Sequence, residues 1–314
     1  MDLREAEIYE KKLVSLDRKI VDKLLQDKTT KKNIIWATNA YADRGLGFQD
    51  KAEMRSTKIF VGLECIIKPR YQKSIEEQAE RTRKKAEVMT PTWICNYMNN
   101  KCDEDWFGRA DAFNTEDGNT WHTVQSKISF PEGKSWKDYV DSRRIEITCG
   151  EAPFLVSRYD TTTGESISVN ERIGVLDRKL RVVNENTETV MDWIKWAFRA
   201  FQATYGYEYQ GDNLLLARYN LLLTYWDYYE AKWNETPSDS DLIRLANVIS
   251  WNLWQMDGLK GTTPLGAPFE ENKQISLFDL DEIGNVNENE AKPCIIRDWR
   301  SNKTFRYDQM KEEG

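Results

Sequence analysis

Glu146-Ile147-Thr148-Cys149-Gly150-Glu151-Ala152-Pro153-Phe154-Leu155 is the stretch that decides how this chain is read. It carries a β-branched run that starts at Arg144 into a turn centred on Gly150, and the apolar segment Phe154-Leu155-Val156 follows at once. A strand that feeds a glycine turn and then a helix leaves backbone N–H groups and an unobstructed backbone beside a ligand. That is how α/β proteins hold nucleotide-like molecules. Upstream, Met89-Thr90-Pro91-Thr92-Trp93 separates two helical segments. The charged run from Tyr71 stops at Pro91, and a new helix begins with Thr90 able to cap it and proline suited to its first turn.

Downstream, Thr204–Glu208 reads as a strand and Asp212–Trp233 as a long apolar helix. Val248–Asn252 reads as a further strand that ends near Met256-Asp257-Gly258. Strands separated by helical stretches predict a parallel sheet with crossover helices, whose ligands sit outside the carboxyl ends of the strands. Gly150, Glu208 and Asp257 fall at three such ends. Glu208 has the lone pairs to accept both hydroxyls of a ribose. Either acid alone is more often a solvated strand end; their order and spacing after the glycine turn are what favour a site.

The stretch resembles the acid-x-x-Cys-Gly-x-Gly-x-Phe-Leu loop of adenine-specific DNA methyltransferases of the restriction-modification type. The helix Gly211-Asp-Asn-Leu-Leu-Leu-Ala-Arg-Tyr-Asn-Leu-Leu222 is similar to the one that follows their acidic strand, and Asp257 with Leu259 looks like their Asp-x-Leu segment. The resemblance spans about residues 86–260. It implies an α/β, Rossmann-like S-adenosylmethionine-dependent methyltransferase sheet with an N-terminal helical region. It also implies a cofactor held by Thr90, Pro91, Glu146, Cys149, Gly150, Glu208 and Asp257. Two positions depart from the pattern: Glu146 stands where Asp is usual, and Ala152 where the second Gly is usual.

A larger departure concerns chemistry. These enzymes carry an Asn/Asp/Ser-Pro-Pro-aromatic tetrapeptide whose polar atoms accept from the target amine and whose aromatic stacks on the flipped base. No such tetrapeptide occurs in this chain. Asp298 and Trp299, directly after a strand at Pro293–Ile296, are the nearest substitutes and are the expected catalytic pair. Two readings follow. One is a DNA adenine-N6 methyltransferase-like modification subunit of a restriction-modification or phage-related system. The other is a catalytically degenerate subunit that binds cofactor or nucleic acid and acts with a partner supplying target recognition.

The expected organisation is a mixed helical region at 1–85, a cofactor-binding core at 86–260, a polar linker at 261–292 and a strand with a charged tail at 293–314. Residues 1–30 place apolar side chains at three- and four-residue steps, an amphipathic helix. Lys32–Trp36 reads as a short strand, 58–67 as strand or buried helix, and 111–135 as loop.

Composition bounds these readings. With 314 residues, 40% hydrophobic and 12% aromatic, the chain can bury a sizeable core. A net charge of −7 excludes a basic coat but not local clusters. Arg81, Arg83, Lys84 and Lys85 lie just before the Thr-Pro segment and are the candidate DNA contacts; Lys68–Lys73 and Arg172–Arg181 are further basic runs. Each reads otherwise as a solvated helix face. Asp103, Glu104 and Asp105 suggest a Mg²⁺ nuclease only weakly and look like a solvated acidic run. Five cysteines without framework spacing, and no apolar run long enough to span a bilayer, point to a cytoplasmic protein with reduced thiols. His122, the only histidine, leaves neither a zinc knuckle nor a Ser-His-Asp set as a natural reading.

Overall fold

A computed structural model describes residues 16–61, 64–267 and 290–311. Helix α1 (Arg18–Leu25) is capped by Asp17, whose side chain accepts from Lys19 N. Its buried residues, Ile20, Val21, Leu24 and Leu25, follow the expected spacing; Ile8 and Leu13 lie outside the described residues. Helix α2 (Ile75–Lys85) opens with a Ser74–Glu77 capping box, and α3 (Thr92–Phe107) begins after Pro91. Strand β1 (Arg144–Glu146) follows, then α4 (Val175–Asn186), α5 (Val190–Gln202) and strand β2 (Thr204–Glu208). Next come α6 (Gly211–Trp233), α7 (Asp239–Asn252), strand β3 (Leu253–Gln255) and an antiparallel hairpin of β4 (Ile295–Asp298) and β5 (Lys303–Arg306).

Strands β1, β2 and β3 form a three-stranded parallel sheet in that order, with Arg144 opposite Thr204 and Gly206 opposite Leu253. Parallel neighbours need long crossovers, and α4–α5 and α6–α7 supply them. The protein is thus mixed α/β, with helices dominating around one small parallel sheet. Among the described residues no helix is long and apolar enough to cross a membrane.

Helix α6 runs through the centre, and every residue from Gly211 to Tyr225 is buried. An all-round buried helix must satisfy its polar side chains internally. Arg218 does so by donating to Leu253 O (2.6 and 3.0 Å) and Gln26 O (3.0 Å). Those carbonyls belong to the C-terminal ends of α7 and α1, where a cation meets the negative end of the helix dipole. Gly211 is required by close packing, since a Cβ there would lie 2.0 Å from Ile35 O. The described part of residues 16–85 therefore shares one hydrophobic core with the rest, running from Leu16 to Leu253.

Several local expectations are corrected. Val248–Asn252 is not a strand but the last turns of α7, because Leu242, Leu245, Ala246 and Ile249 form one buried helical stripe that packs on α1. The strand starts only at Leu253. Lys32–Trp36 makes only isolated bridges, Gln26 to Asn33 and Ile35 to Glu53. Residues 58–67 contain the end of a one-turn helix and the minimal pairing of Phe60–Val61 with Glu64–Cys65. The 111–135 stretch holds a hairpin, Asn114–Asp117 with Thr120–Thr123. The flanks of the expected linker are tied down by bridges Thr262 to Pro293 and Ala267 to Glu290; its apolar island Ile275–Leu280 lies outside the described residues.

Candidate functional site

Three residues of the decisive loop have left-handed backbone: Thr148 (φ 47°), Gly150 (φ 53°) and Ala152 (φ 66°). Left-handed geometry is free for glycine and costs other residues about 1–2 kcal/mol. Ala152, which stands in place of the expected second glycine, keeps the conformation that a glycine would favour. The surrounding bonds hold it: Leu155 N donates to Glu146 Oε2 (3.1 Å), and Cys149 N donates to Tyr207 O (2.8 Å).

The loop meets the end of β2 through one carboxylate. Gly150 N donates to Glu208 Oε2 (2.9 Å) and Gln210 N donates to Glu208 Oε1 (3.0 Å). Glu208 is only 7% exposed. Burial pushes its carboxyl above the usual range, and the two N–H donors oppose that shift. The same balance acts on Glu146, where burial dominates the pull of the Phe154 and Leu155 amides. Each Glu208 oxygen spends one lone pair on the backbone and keeps another for a ligand donor.

Glu208 and Gly150 line a cleft of about 610 Å³ together with Thr148, Tyr209, Gln210 and Asn213. The opposite wall is the segment Arg83–Met89, which leaves α2 through Ala86 in a left-handed cap (φ 51°). Glu87 anchors this wall by accepting from Arg81 Nε (2.8 Å), Asn213 Nδ2 (3.0 Å) and Arg70 Nη1 (3.1 Å). Arg81 also pairs with Asp212 (2.8 Å), so the end of α2 is fastened to the first turn of α6. Met89 closes over the glycine: a Cβ on residue 150 would sit 3.4 Å from its Sδ.

Of the expected cofactor residues the structure brings only Gly150 and Glu208 together in the cleft lining; Glu146 is buried and accepts from the Phe154 and Leu155 amides instead. Thr90 and Pro91 follow Met89; Thr90 O accepts from the Thr161 hydroxyl (3.1 Å), and neither residue lines the cleft. Cys149 is 1% exposed and packs beneath Gly206. Asp257 caps its own turn, accepting from Leu259 N (3.1 Å) and pairing with Lys260 (3.5 Å), outside the lining.

Two expectations need correction. Arg81 is not a surface cation: it is 6% exposed and committed to Glu87 and Asp212. Arg83, Lys84 and Lys85 do line the cleft; Lys84 pairs with Glu80, while Arg83 and Lys85 have no ion pair among the described residues. In the Arg172–Arg181 run, Arg178 and Lys179 are likewise buried, Arg178 on Asp103 (2.7 Å) and Lys179 on Ser142 O (2.6 Å). That places Asp103 in a buried ion pair instead of a solvated acidic run.

The Asp298–Trp299 pair is the larger correction. Asp298 pairs with Arg143 (2.9 Å), the residue before β1, and caps its own turn through Ser301. Trp299 Nε1 donates to Asn252 Oδ1 (2.7 Å), and Asn252 Nδ2 donates to Thr204 O (3.0 Å). Both residues therefore sit at the amino ends of the strands. Glu208 ends β2 at its other end, roughly 13 Å away along the strand at about 3.3 Å per residue. The hairpin of β4 and β5 covers a sheet face through Ile296, Tyr207 and Trp254 and does not extend the parallel ladder, so Asp298 cannot reach the cleft.

Sequence reasoning missed Met89, Glu87, Thr148, Tyr209, Gln210 and Asn213. Tyr209 to Asn213 were within reach of it, because they join the acidic strand end to the next helix. Glu87 carried no such signal: its partners Arg70, Arg81 and Asn213 lie up to 126 residues away. No protein-family profile, curated protein or solved structure matches this chain.

Proposed function

We propose that the cleft binds S-adenosylmethionine and that the chain is the cofactor-binding core of a DNA adenine-N6 methyltransferase-like modification subunit with a Rossmann-like sheet. The observation that supports this reading best is the meeting of a left-handed glycine and a buried, pre-oriented carboxylate at the carboxyl ends of two adjacent parallel strands. Glu208 retains an acceptor lone pair on each oxygen for a ribose diol. Gly150 leaves room for the methionine end, and Met89 shields that end from water. Arg83 and Lys85 at the mouth supply positive charge for the cofactor carboxylate or for phosphates. When bound, the cofactor supplies a sulfonium methyl group for an in-line attack by a nucleophile, and the chain contributes positioning and exclusion of water.

A second reading has a specific observation in its favour. With Asp298 and Trp299 at the opposite end of the sheet, the described cleft holds no acid–aromatic pair after a fourth strand. A subunit that binds cofactor and leaves base capture to a partner fits this. Calorimetry with S-adenosylmethionine tests the site, and labelled-methyl transfer to mixed DNA separates the readings. Heat without transfer favours the partner-dependent subunit; neither heat nor a thermal shift at millimolar ligand ends the assignment.

A further inference from the structure

A second large cleft lies away from Gly150 and Glu208, on the side of α5 and α7 where Trp299 packs. It has a volume of about 660 Å³ and continues into a neighbouring one of about 410 Å³ through shared walls at Phe198, Gln202 and Arg244. Its floor is aliphatic and aromatic. Ile194, Phe198, Ile243 and Val248 lie along it, and Met191 stands 83% exposed at its edge.

The charge of this groove runs against that of the chain. Its walls carry Lys23, Lys137, Lys195, Arg199 and Arg244 against Asp138 and Asp141, in a protein of net charge −7. Both acids are already engaged. Asp138 accepts from Ser135 N and Oγ (2.7 Å each), and Asp141 is paired with Arg199 and with Arg300 (3.0 Å). Lys23, Lys137 and Lys195 have no carboxylate partner among the described residues. Lys137 lies over the Trp136 and Trp196 rings (5.7 and 5.3 Å) and Lys23 donates to Gln26 Oε1 (3.4 Å), so none of the three ammonium charges is neutralised by an acid among the described residues.

We infer that this groove is a docking site for an acidic amphipathic segment of a partner protein. Aliphatic walls and an exposed methionine suit apolar side chains, since methionine adapts to varied partners. Carboxylates flanking such an apolar stripe would meet the lysines, the pattern of helix-in-groove recognition. Nucleic acid is the lesser fit, because base stacking needs open aromatic faces and the two tryptophans of the groove are already covered, Trp196 by Trp136 and Lys137 and Trp299 by Arg297. The groove and the cofactor cleft are at opposite ends of the sheet, so a partner can dock while the cleft stays open. The inference does not depend on what the cleft binds.

The test uses a fluorescein-labelled synthetic helical peptide of about 18 residues, with leucines at helical spacing flanked by glutamates. A shuffled peptide of equal composition and an oligothymidylate serve as comparison probes. Anisotropy with the full chain is expected to show the patterned peptide binding at least about tenfold tighter than the shuffled one, and weakening as salt is raised. Lys137→Glu with Lys195→Glu should lose at least about tenfold, and Met191→Asp a similar factor, at unchanged melting temperature. All three side chains are exposed, so these variants should fold. Equal binding of both peptides, no binding of either, or preferential binding of the oligonucleotide that is lost in the lysine variants would each overturn the inference. So would a concentration-dependent dimer abolished by Met191→Asp, which would make the occupant a second copy.

Discussion

Replacing Gly150 by alanine and by valine separates its backbone role from its role against a ligand. At φ 53° an L-residue costs about 1–2 kcal/mol, and the smaller unfolded-state entropy of alanine returns about 0.5–1. The added methyl would meet Met89 Sδ at 3.4 Å and Cε at 3.5 Å, ordinary contact distances. Gly150→Ala should therefore lower stability by only about 1 kcal/mol, which is roughly 1–2 °C in Tm for a chain of this size. Valine adds two branches at a left-handed residue, so Met89 must move and the space beside the glycine fills. Calorimetry should then show S-adenosylmethionine affinity falling at least about tenfold, or about 1.4 kcal/mol, with Gly150→Ala between valine and wild type. The fold is not at stake in this comparison, because thermal unfolding without ligand reports the backbone cost separately. Wild-type protein that binds the cofactor, together with Gly150→Val binding it within about twofold, would refute the placement of the ligand against this turn.

Arg81→Met should destabilise the protein by about 3–5 kcal/mol in denaturant unfolding, because Glu87 and Asp212 would be left buried without their cation; a loss below about 1 kcal/mol would show that the network is not needed. Replacing Arg83, Lys84 and Lys85 by alanine should reduce the slope of log affinity for DNA against log salt by roughly 2–3, with unchanged melting, and an unaltered slope would return them to a solvated helix end. Burial pushes the Asp177 carboxyl up to about 6, while Arg172 and the Ser157 N–H, which donates to its Oδ2 (2.8 Å), pull the other way. The folded protein then holds this proton more tightly than the unfolded chain, so stability falls as pH rises from about 4 to about 6, by roughly 3 kcal/mol. Asp177→Asn keeps an acceptor for Ser157 N and should remove that fall; parallel stability–pH curves for variant and wild type would contradict it. Trp299→Ala should lower stability by about 1–3 kcal/mol through lost packing and the lost bond to Asn252, with cofactor affinity unchanged, whereas reduced affinity would place it at the cleft after all.

The sequence by itself determined the parts of this protein that depend on local order. The strand beginning at Arg144 and the strand ending at Glu208 are both visible as short patterns, and so are the glycine turn after β1 and the apolar length of α6; the helix expected at Phe154–Val156 is a turn instead, and the next helix, α4, starts only at Val175. The turn glycine and the strand-end acid were legible as a pair because parallel strands bring their carboxyl ends together. What only the tertiary structure decided rests on contacts distant in sequence. Val248–Asn252 has β-branched residues that suit a strand, and it is helical because its stripe packs on α1. Arg81 looks like its neighbours Arg83 and Lys85, yet Asp212, 131 residues away, buries it. Asp298 and Trp299 follow a strand as a catalytic pair would. That strand pairs with β5 in a hairpin instead of joining the parallel sheet, which carries both residues to the sheet's amino end. A charge or a strand end is local information. Which surface it faces is set by chain segments that a linear reading cannot place beside it.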